Sequence, residues 1–422
     1  MASFVTITYI LTLIVSNFAT SIISKSDAPK YEPNWESLDS RPLPSWYDEA
    51  KVGIFIHWGV FSVPSFGSEW FWSLWKDQKN EKYIDFMKNN YPEHFTYQEF
   101  AKDFTAEFFD AKEWADIFVK SGAKYVVLTS KHHGDTLCGL LNTHIAGIRK
   151  TLGHIEILLI IPEMKELVET YKPDILWSDG EWEATASYWN STEFLAWLYN
   201  DSPVGEYVIV NDRWGRDTLC RHGDFFTCND RYNPGILQSH KWENAMTIDI
   251  ASWGFRREAK LADYYTPLDL ISQIASTVSC GGNILINVGP TKEGTISPIL
   301  EERLLQIGEW LSINGEAIYG TTPWTAQNDT LTWGVWYTSK GSAVYAIVLH
   351  WTWYANTLPL SSVMGLFDDR NTKVTMLGNE DDGNLEWFLS DAVYIKFPDK
   401  STVKSEWAWV LKIESNSADN DV

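Results

Sequence analysis

Short apolar runs recur through most of this chain, and several are stopped by histidine, acid or tryptophan. Residues 52–59 (VGIFIHWG) end in His57-Trp58, and residues 124–133 (KYVVLTSKHH) in His132-His133. Residues 174–183 (DILWSDGEWE) end in Trp177, Asp179 and Trp182, with Asp179-Gly180 forcing a turn. Stretches with helical spacing separate them, as at 97–120, where Phe108, Phe109, Trp114, Ile117 and Phe118 share a face. Strands that are apolar throughout are covered on both faces, and their alternation with helices builds a parallel sheet. Polar chemistry confined to the C-terminal strand ends is where a barrel carries its site. The expected fold class is therefore α/β, with a TIM-type (β/α)8-like barrel over 27–320. Further strands are expected at 154–161, 207–213, 241–249 and 282–290, and helices at 163–171, 193–199, 268–279 and 299–318. Seven strands at most are counted, so the barrel is expected to be incomplete.

Past residue 320 the apolar period changes to two. Strands are expected at 330–339, 343–351, 373–377, 393–397 and 407–413, with turn residues between. This is an antiparallel β-sandwich over 321–415, followed by a disordered tail at 416–422.

Charge narrows the partners. With 34 basic against 56 acidic residues the net charge is −22, which repels nucleic acid and anionic lipid. Residues 1–21 read as a secretory signal, apolar from 7 to 15 with Ala19 and Ser21 before the cut, although no Lys or Arg precedes the apolar run. No other stretch is suited to crossing a membrane, so the destination is the secretory pathway, lysosomal or extracellular, with no membrane insertion after signal removal. An oxidising compartment permits disulfides among Cys138, Cys220, Cys228 and Cys280, and Cys220 and Cys228 are close enough to close one loop. Glycosylation sequons stand at Asn190, Asn200 and Asn328, but Pro203 follows the second too closely for ready use. No Cys/His spacing suggests a metal, and no cofactor is expected. The 23 Trp suit sugar binding, because an indole face stacks on sugar C–H groups while its edge still donates a hydrogen bond. The plain alternative for each is packing, with Asp179 a helix cap.

On these residues the chain resembles animal α-L-fucosidases of glycoside hydrolase family 29. The matching stretches are 38–72, 123–133 (AKYVVLTSKHH), 171–200, 210–215 (VNDRWG), 240–243, 252–255, 281–291 and 310–318 (WLSINGEAI), in family order. The resemblance implies a retaining hydrolase that releases terminal fucose from fucosylated glycans through a covalent glycosyl-enzyme. It maps the nucleophile onto Asp179, with the indole N–H of Trp177 as a local donor. The acid/base maps onto Glu243 in KWE or Asp230 in CND, with a slight preference for Glu243. Sugar-binding positions map onto His57, Glu69, Trp70, His132, His133, Trp177 and Arg213. A homo-oligomer is compatible with this reading. Between 134 and 161 the family has a longer, aromatic-rich segment, and this chain does not. A shortened barrel leaves open a second reading, a homologue that binds fucose without turning it over.

Overall fold

In the computed structural model, residues 30–132, 135–136, 155–351, 356–368 and 372–415 are described. The expected signal segment, His133, Cys138, most of 134–161 and the tail at 416–422 lie outside them. Before residue 320 the described strands are β1 (Val52–Ile56), β2 (Tyr125–Leu128), β3 (Lys131–His132), β4 (Asp135–Thr136), β5 (Ile175–Leu176), β6 (Ile209–Val210), β7 (Trp242–Thr247) and β8 (Gly282–Val288). β1, β7 and β8 are buried at every position, as expected of strands covered on both faces.

All main pairings are parallel. One sheet runs β2-β1-β8-β7, and a second pairs β5 with β6. An irregular segment joins them: the N–H groups of Asp224 and Phe225 donate to the Val210 carbonyl at 3.0 and 3.3 Å, and Phe226 forms a parallel bridge with Trp242. The array is therefore β5-β6, the 224–226 segment, then β7-β8-β1-β2. Among the described residues no strand joins β2 back to β5, and Val126 and Leu128 of β2 are exposed. The core lies between this array and its helices, with Ile54, Ile284 and Ile286 meeting Ile271 and Ile274 of the helix Pro267–Ser279 and Leu304 and Ile307 of the helix Pro298–Asn314.

Two expected elements differ. The stretch 154–161 was expected as a strand, but Ile155 onward belongs to the helix Ile155–Tyr171, which contains Pro162. A run of eight residues, six of them apolar, has no periodicity that separates a strand from a buried helix. The helix expected over 97–120 is two pieces, a 3-10 helix Tyr97–Lys102 and an α-helix Ala111–Lys120. Asp110 starts the second, its carboxylate accepting from the Lys112 and Glu113 N–H groups.

The remaining strands are β9 (Thr322–Asn328), β10 (Val335–Lys340), β11 (Ala343–Val348), β12 (Thr357–Leu360), β13 (Thr372–Met376), β14 (Trp387–Leu389), β15 (Val393–Lys396) and β16 (Trp409–Ser415). They form antiparallel sheets ordered β13-β16-β11-β10-β9 and β12-β15-β14, enclosing a core with Val344, Leu358, Ile395 and Leu411. β9, β12 and β14 were not expected. All three are edge strands; Pro323 and Pro359 mark the first two, and an edge is where a sheet tolerates proline. The larger sheet docks on the barrel through Trp310, whose Nε1 donates to the Ala408 carbonyl at 3.0 Å, and Asn314, whose amide donates to Ser405 at 2.8 Å.

Candidate active site

The C-terminal ends of the barrel strands carry the chemistry. His57 follows β1 directly, is buried, and its Nδ1 lies 2.7 Å from Asn287 Oδ1. Asn287 spends its amide N–H groups on Thr247 Oγ1 at 2.9 Å and the Trp253 carbonyl at 2.7 Å, so its Oδ1 is the acceptor. His57 Nδ1 therefore carries the proton, which makes Nε2 the acceptor in the neutral ring. Burial pushes the imidazole below its usual value, and the Glu69 carboxylate only partly opposes this. Asp179 and Asp230 act on the same ring electrostatically.

A ring of aromatics and one acid completes this side. His132 is buried among Trp70, Phe61 and His57, with ring centroids 5.2, 5.3 and 6.2 Å away. Glu69 is buried and accepts from Ser252 Oγ and the Trp253 N–H, both at 2.9 Å. The turn that supplies those donors comes close because Gly254 has no side chain; a Cβ there would meet Phe61 at 2.8 Å. Trp253 packs 5.1 Å from the His57 ring, and Trp70 lies 6.1 Å from Trp182, which is exposed.

Opposite stands the acidic side. Asp179 is three residues beyond β5, and Gly180 turns the chain with φ of 98°, in the region that favours glycine. Ser178 before it is tied on both sides of its backbone to the Asn211 side chain, at 3.0 and 2.8 Å. Arg213 then spans the site: one terminal nitrogen donates to Asp179 Oδ1 at 2.9 Å and the other to Asp230 Oδ1 at 2.7 Å. Its Nε donates to Thr227 Oγ1 at 2.9 Å, and its guanidinium lies 4.8 Å over the Trp177 ring. Those two carboxylates push the Arg213 pKa up against its burial. Arg213 is 6% exposed while Asp179 and Asp230 are 36% and 48% exposed at the side chain, so the acids reach the surface and the guanidinium lies behind them.

Asp212 holds the loop that presents Asp230. Its Oδ1 accepts from Thr227 N–H and Oγ1 at 2.9 and 2.6 Å, and its Oδ2 from the Cys220 and Cys228 N–H groups at 2.7 and 3.1 Å. Cys220 and Cys228 are joined as a disulfide. Asp212 and the two sulfurs cluster within 4.8 Å, but thiolates are absent and the carboxylate is filled by four donors, which leaves nothing suited to a cation.

Glu243 does not join this site. It is the second residue of β7, at the opposite, N-terminal end of the barrel, and is 0% exposed. Burial raises its pKa, the property wanted of a general acid, but an acid must first reach the proton acceptor. Its oxygens are filled by Tyr47 and Tyr125 hydroxyls, each at 2.7 Å, and by Trp177 Nε1 at 3.0 Å. The indole N–H expected beside Asp179 is thus given to Glu243 instead, because the Trp177 ring points down the barrel.

His57, Glu69, Trp70, His132, Trp177, Asp179, Arg213 and Asp230 are brought together, and His133 lies outside the described residues. Sequence reading did not single out Asn287, Trp253, Asp212, Thr227 or Glu181. Glu181, buried just after Asp179, has its carboxyl pushed up by burial. Of these, Trp253 carried the clearest signal, an indole in a Ser-Trp-Gly turn a few residues past a strand. Asn190 and Asn328 are both exposed, whereas the Asn200 amide is occupied by the Tyr31 backbone at 2.8 Å in each direction.

Comparison with known proteins gives the same picture. The alpha-L-fucosidase family model matches residues 18–137 and 157–316, and the alpha-L-fucosidase C-terminal domain model matches 327–414. The break between 137 and 157 falls in the stretch read as unlike the family. An alpha-L-fucosidase of Branchiostoma floridae is 48% identical over 93% of this chain and 98% of that one. The tissue alpha-L-fucosidase of Bos taurus is 47% identical over 92% of each. The crystal structure of the Thermotoga maritima alpha-fucosidase in complex with fucose superimposes with a TM-score of 0.76, at 29% identity, over 91% of this chain and 100% of that one. With two family models covering barrel and sandwich, and relatives of this identity along nearly their whole length, the chain belongs to the alpha-L-fucosidase family.

Proposed function

We propose that this glycoside hydrolase removes terminal α-L-fucose from glycans with Asp179 as nucleophile and Asp230, rather than Glu243, as acid/base. The observation that carries the reading is Arg213, which holds both carboxylates on the two ends of one guanidinium at the barrel mouth. That span is compatible with the roughly 5–5.5 Å between carboxyl groups in retaining glycosidases. Asp179 attacks the anomeric carbon while Asp230 gives its proton to the departing glycosidic oxygen. Asp230 then takes a proton from water as the water displaces Asp179 from the sugar. Glu243 is enclosed by three donors and Glu181 is buried, so neither has comparable access.

The same reading gives the histidine side to the sugar. His57, with Nε2 as acceptor, and Glu69, held by Ser252 and Trp253, are suited to sugar hydroxyls, joined by His132 and by His133. Trp70, Trp177 and Trp253 supply aromatic surface of the kind a 6-deoxy sugar's methyl requires. The animal relatives named for tissue and plasma forms support a lysosomal or secreted destination. No observation favours the binding-only alternative.

The test is hydrolysis of aryl α-L-fucosides. Asp179→Ala should lower kcat by about 1,000-fold or more with every leaving group. Asp230→Ala should lower it by about 100- to 10,000-fold with a phenyl leaving group, less with 4-nitrophenyl, and recover with azide. A mechanism-based fluorinated fucoside that labels a residue other than Asp179 would overturn the assignment.

A further inference from the structure

We propose that Glu243 is a positioning residue: from the floor of the barrel it fixes the Trp177 indole, and through that indole the guanidinium that holds Asp179 and Asp230. The proposal rests on the assignment of those two acids above. Glu243 cannot act on substrate directly, being 0% exposed with both oxygens occupied. Its own place is set from three directions. Tyr47 and Tyr125 each donate to Oε2 at 2.7 Å, and neighbouring Asn283, in register with Glu243, donates to the Tyr47 carbonyl at 2.7 Å. The carboxylate is thus a fixed acceptor, and its Oε1 is turned to Trp177 Nε1 at 3.0 Å.

Trp177 connects floor and mouth. It follows β5 directly and stands two residues before Asp179, and its ring has Phe55 at 5.1 Å on one side and Arg213 at 4.8 Å. An indole can pivot about its side-chain torsions, and the hydrogen bond from Trp177 Nε1 to Glu243 Oε1 removes that freedom. A guanidinium stacked on the ring moves with it. Arg213 carries both acids, so a small rotation of Trp177 displaces the nucleophile and the acid/base together, and shifts near 1 Å cost about 100-fold in rate.

Aryl fucosides with 4-nitrophenyl and phenyl leaving groups separate the possibilities. Trp177→Phe keeps a ring and removes the donor; Glu243→Leu removes the acceptor; Glu243→Gln keeps an acceptor oxygen. The first two should each lower kcat by about 10- to 100-fold, equally for both leaving groups and without azide rescue. Glu243→Gln should lie within about fivefold of the unaltered chain, the worth of one weakened hydrogen bond. The double variant Trp177→Phe/Glu243→Leu should be no slower than the slower single one, because both remove the same constraint. Losses that multiply in the double variant overturn the proposal, since a merely structural carboxylate would give them. A Glu243→Gln loss that is greater for phenyl and recovers with azide also overturns it and makes Glu243 the acid/base. Should Glu243→Leu fail to fold by thermal melting, Trp177→Phe and Glu243→Gln still decide, through leaving-group dependence and the size of the Gln loss. An unaltered chain with no turnover overturns the hydrolase assignment itself, and this proposal with it, so the two failures are distinguishable.

Discussion

Arg213 concentrates the site's electrostatics in a single side chain. A planar fork stacked on an indole can hold two carboxylates at once, and a lysine ammonium cannot reproduce either the fork or the stack. Arg213→Lys should therefore keep the charge and still lower kcat/KM by about 100-fold, measured with 4-nitrophenyl fucoside; a loss under about threefold would show that charge alone suffices. His57 makes a second, pH-dependent prediction. Burial holds its imidazole below the ordinary 6.5, so on acidification the unfolded chain binds the proton first. The neutral buried ring thus contributes stability above about pH 6.5 that is lost as the pH falls toward the folded-state value. Between pH 7 and 5 the melting temperature of the unaltered chain should fall more steeply than that of His57→Asn. Parallel slopes would mean that His57 does not titrate in this way.

At the scale of elements, the loop from Asp212 to Asp230 is built as a clamp. Asp212 accepts four hydrogen bonds, two of them from the N–H groups of the disulfide's own cysteines, and Thr227 passes the arrangement on to Arg213. The covalent bridge closes a sequence separation of 8 residues, and removing such a bridge costs about 2–3 kcal/mol by loop entropy. Cys220→Ser/Cys228→Ser should lower stability by about that amount in urea unfolding. It should also lower kcat by more than the loss of folded protein accounts for, because the clamp presents Asp230. An unchanged kcat per folded molecule would mean that Asp212 holds the loop without the bridge. In the proline-bearing edge strands β9 and β12 the neighbouring strand rather than the local pattern decides the conformation, and at 155–161 a mostly apolar run has no period that separates strand from helix.

Across the whole molecule, barrel and sandwich share one core. Tyr345, Ile347 and Val410 of the larger sheet belong to the same buried cluster as Trp310, Leu311 and the barrel strands. Trp310 is 1% exposed and its indole N–H is spent on Ala408, so Trp310→Ala should cost about 3–5 kcal/mol. Calorimetry should show both domains melting in one transition in the unaltered chain, and at a lower temperature in the variant; two separated transitions in the unaltered chain would refute the shared core. The sequence alone determined the parallel strand-and-helix order, the second all-β domain, and which histidines, acids and indoles stand at strand ends, because burial on both faces and the turn at Asp179-Gly180 are local consequences of composition and spacing. Tertiary structure alone separates Glu243, enclosed by Tyr47, Tyr125 and Trp177, from Asp230, which is held by Arg213. The strand expected at 241–249 already begins at the lysine-tryptophan-glutamate run, but only packing closes three donors around Glu243 on the floor of the barrel, and only the folding back of the loop beyond Asp212 carries Asp230 to Arg213.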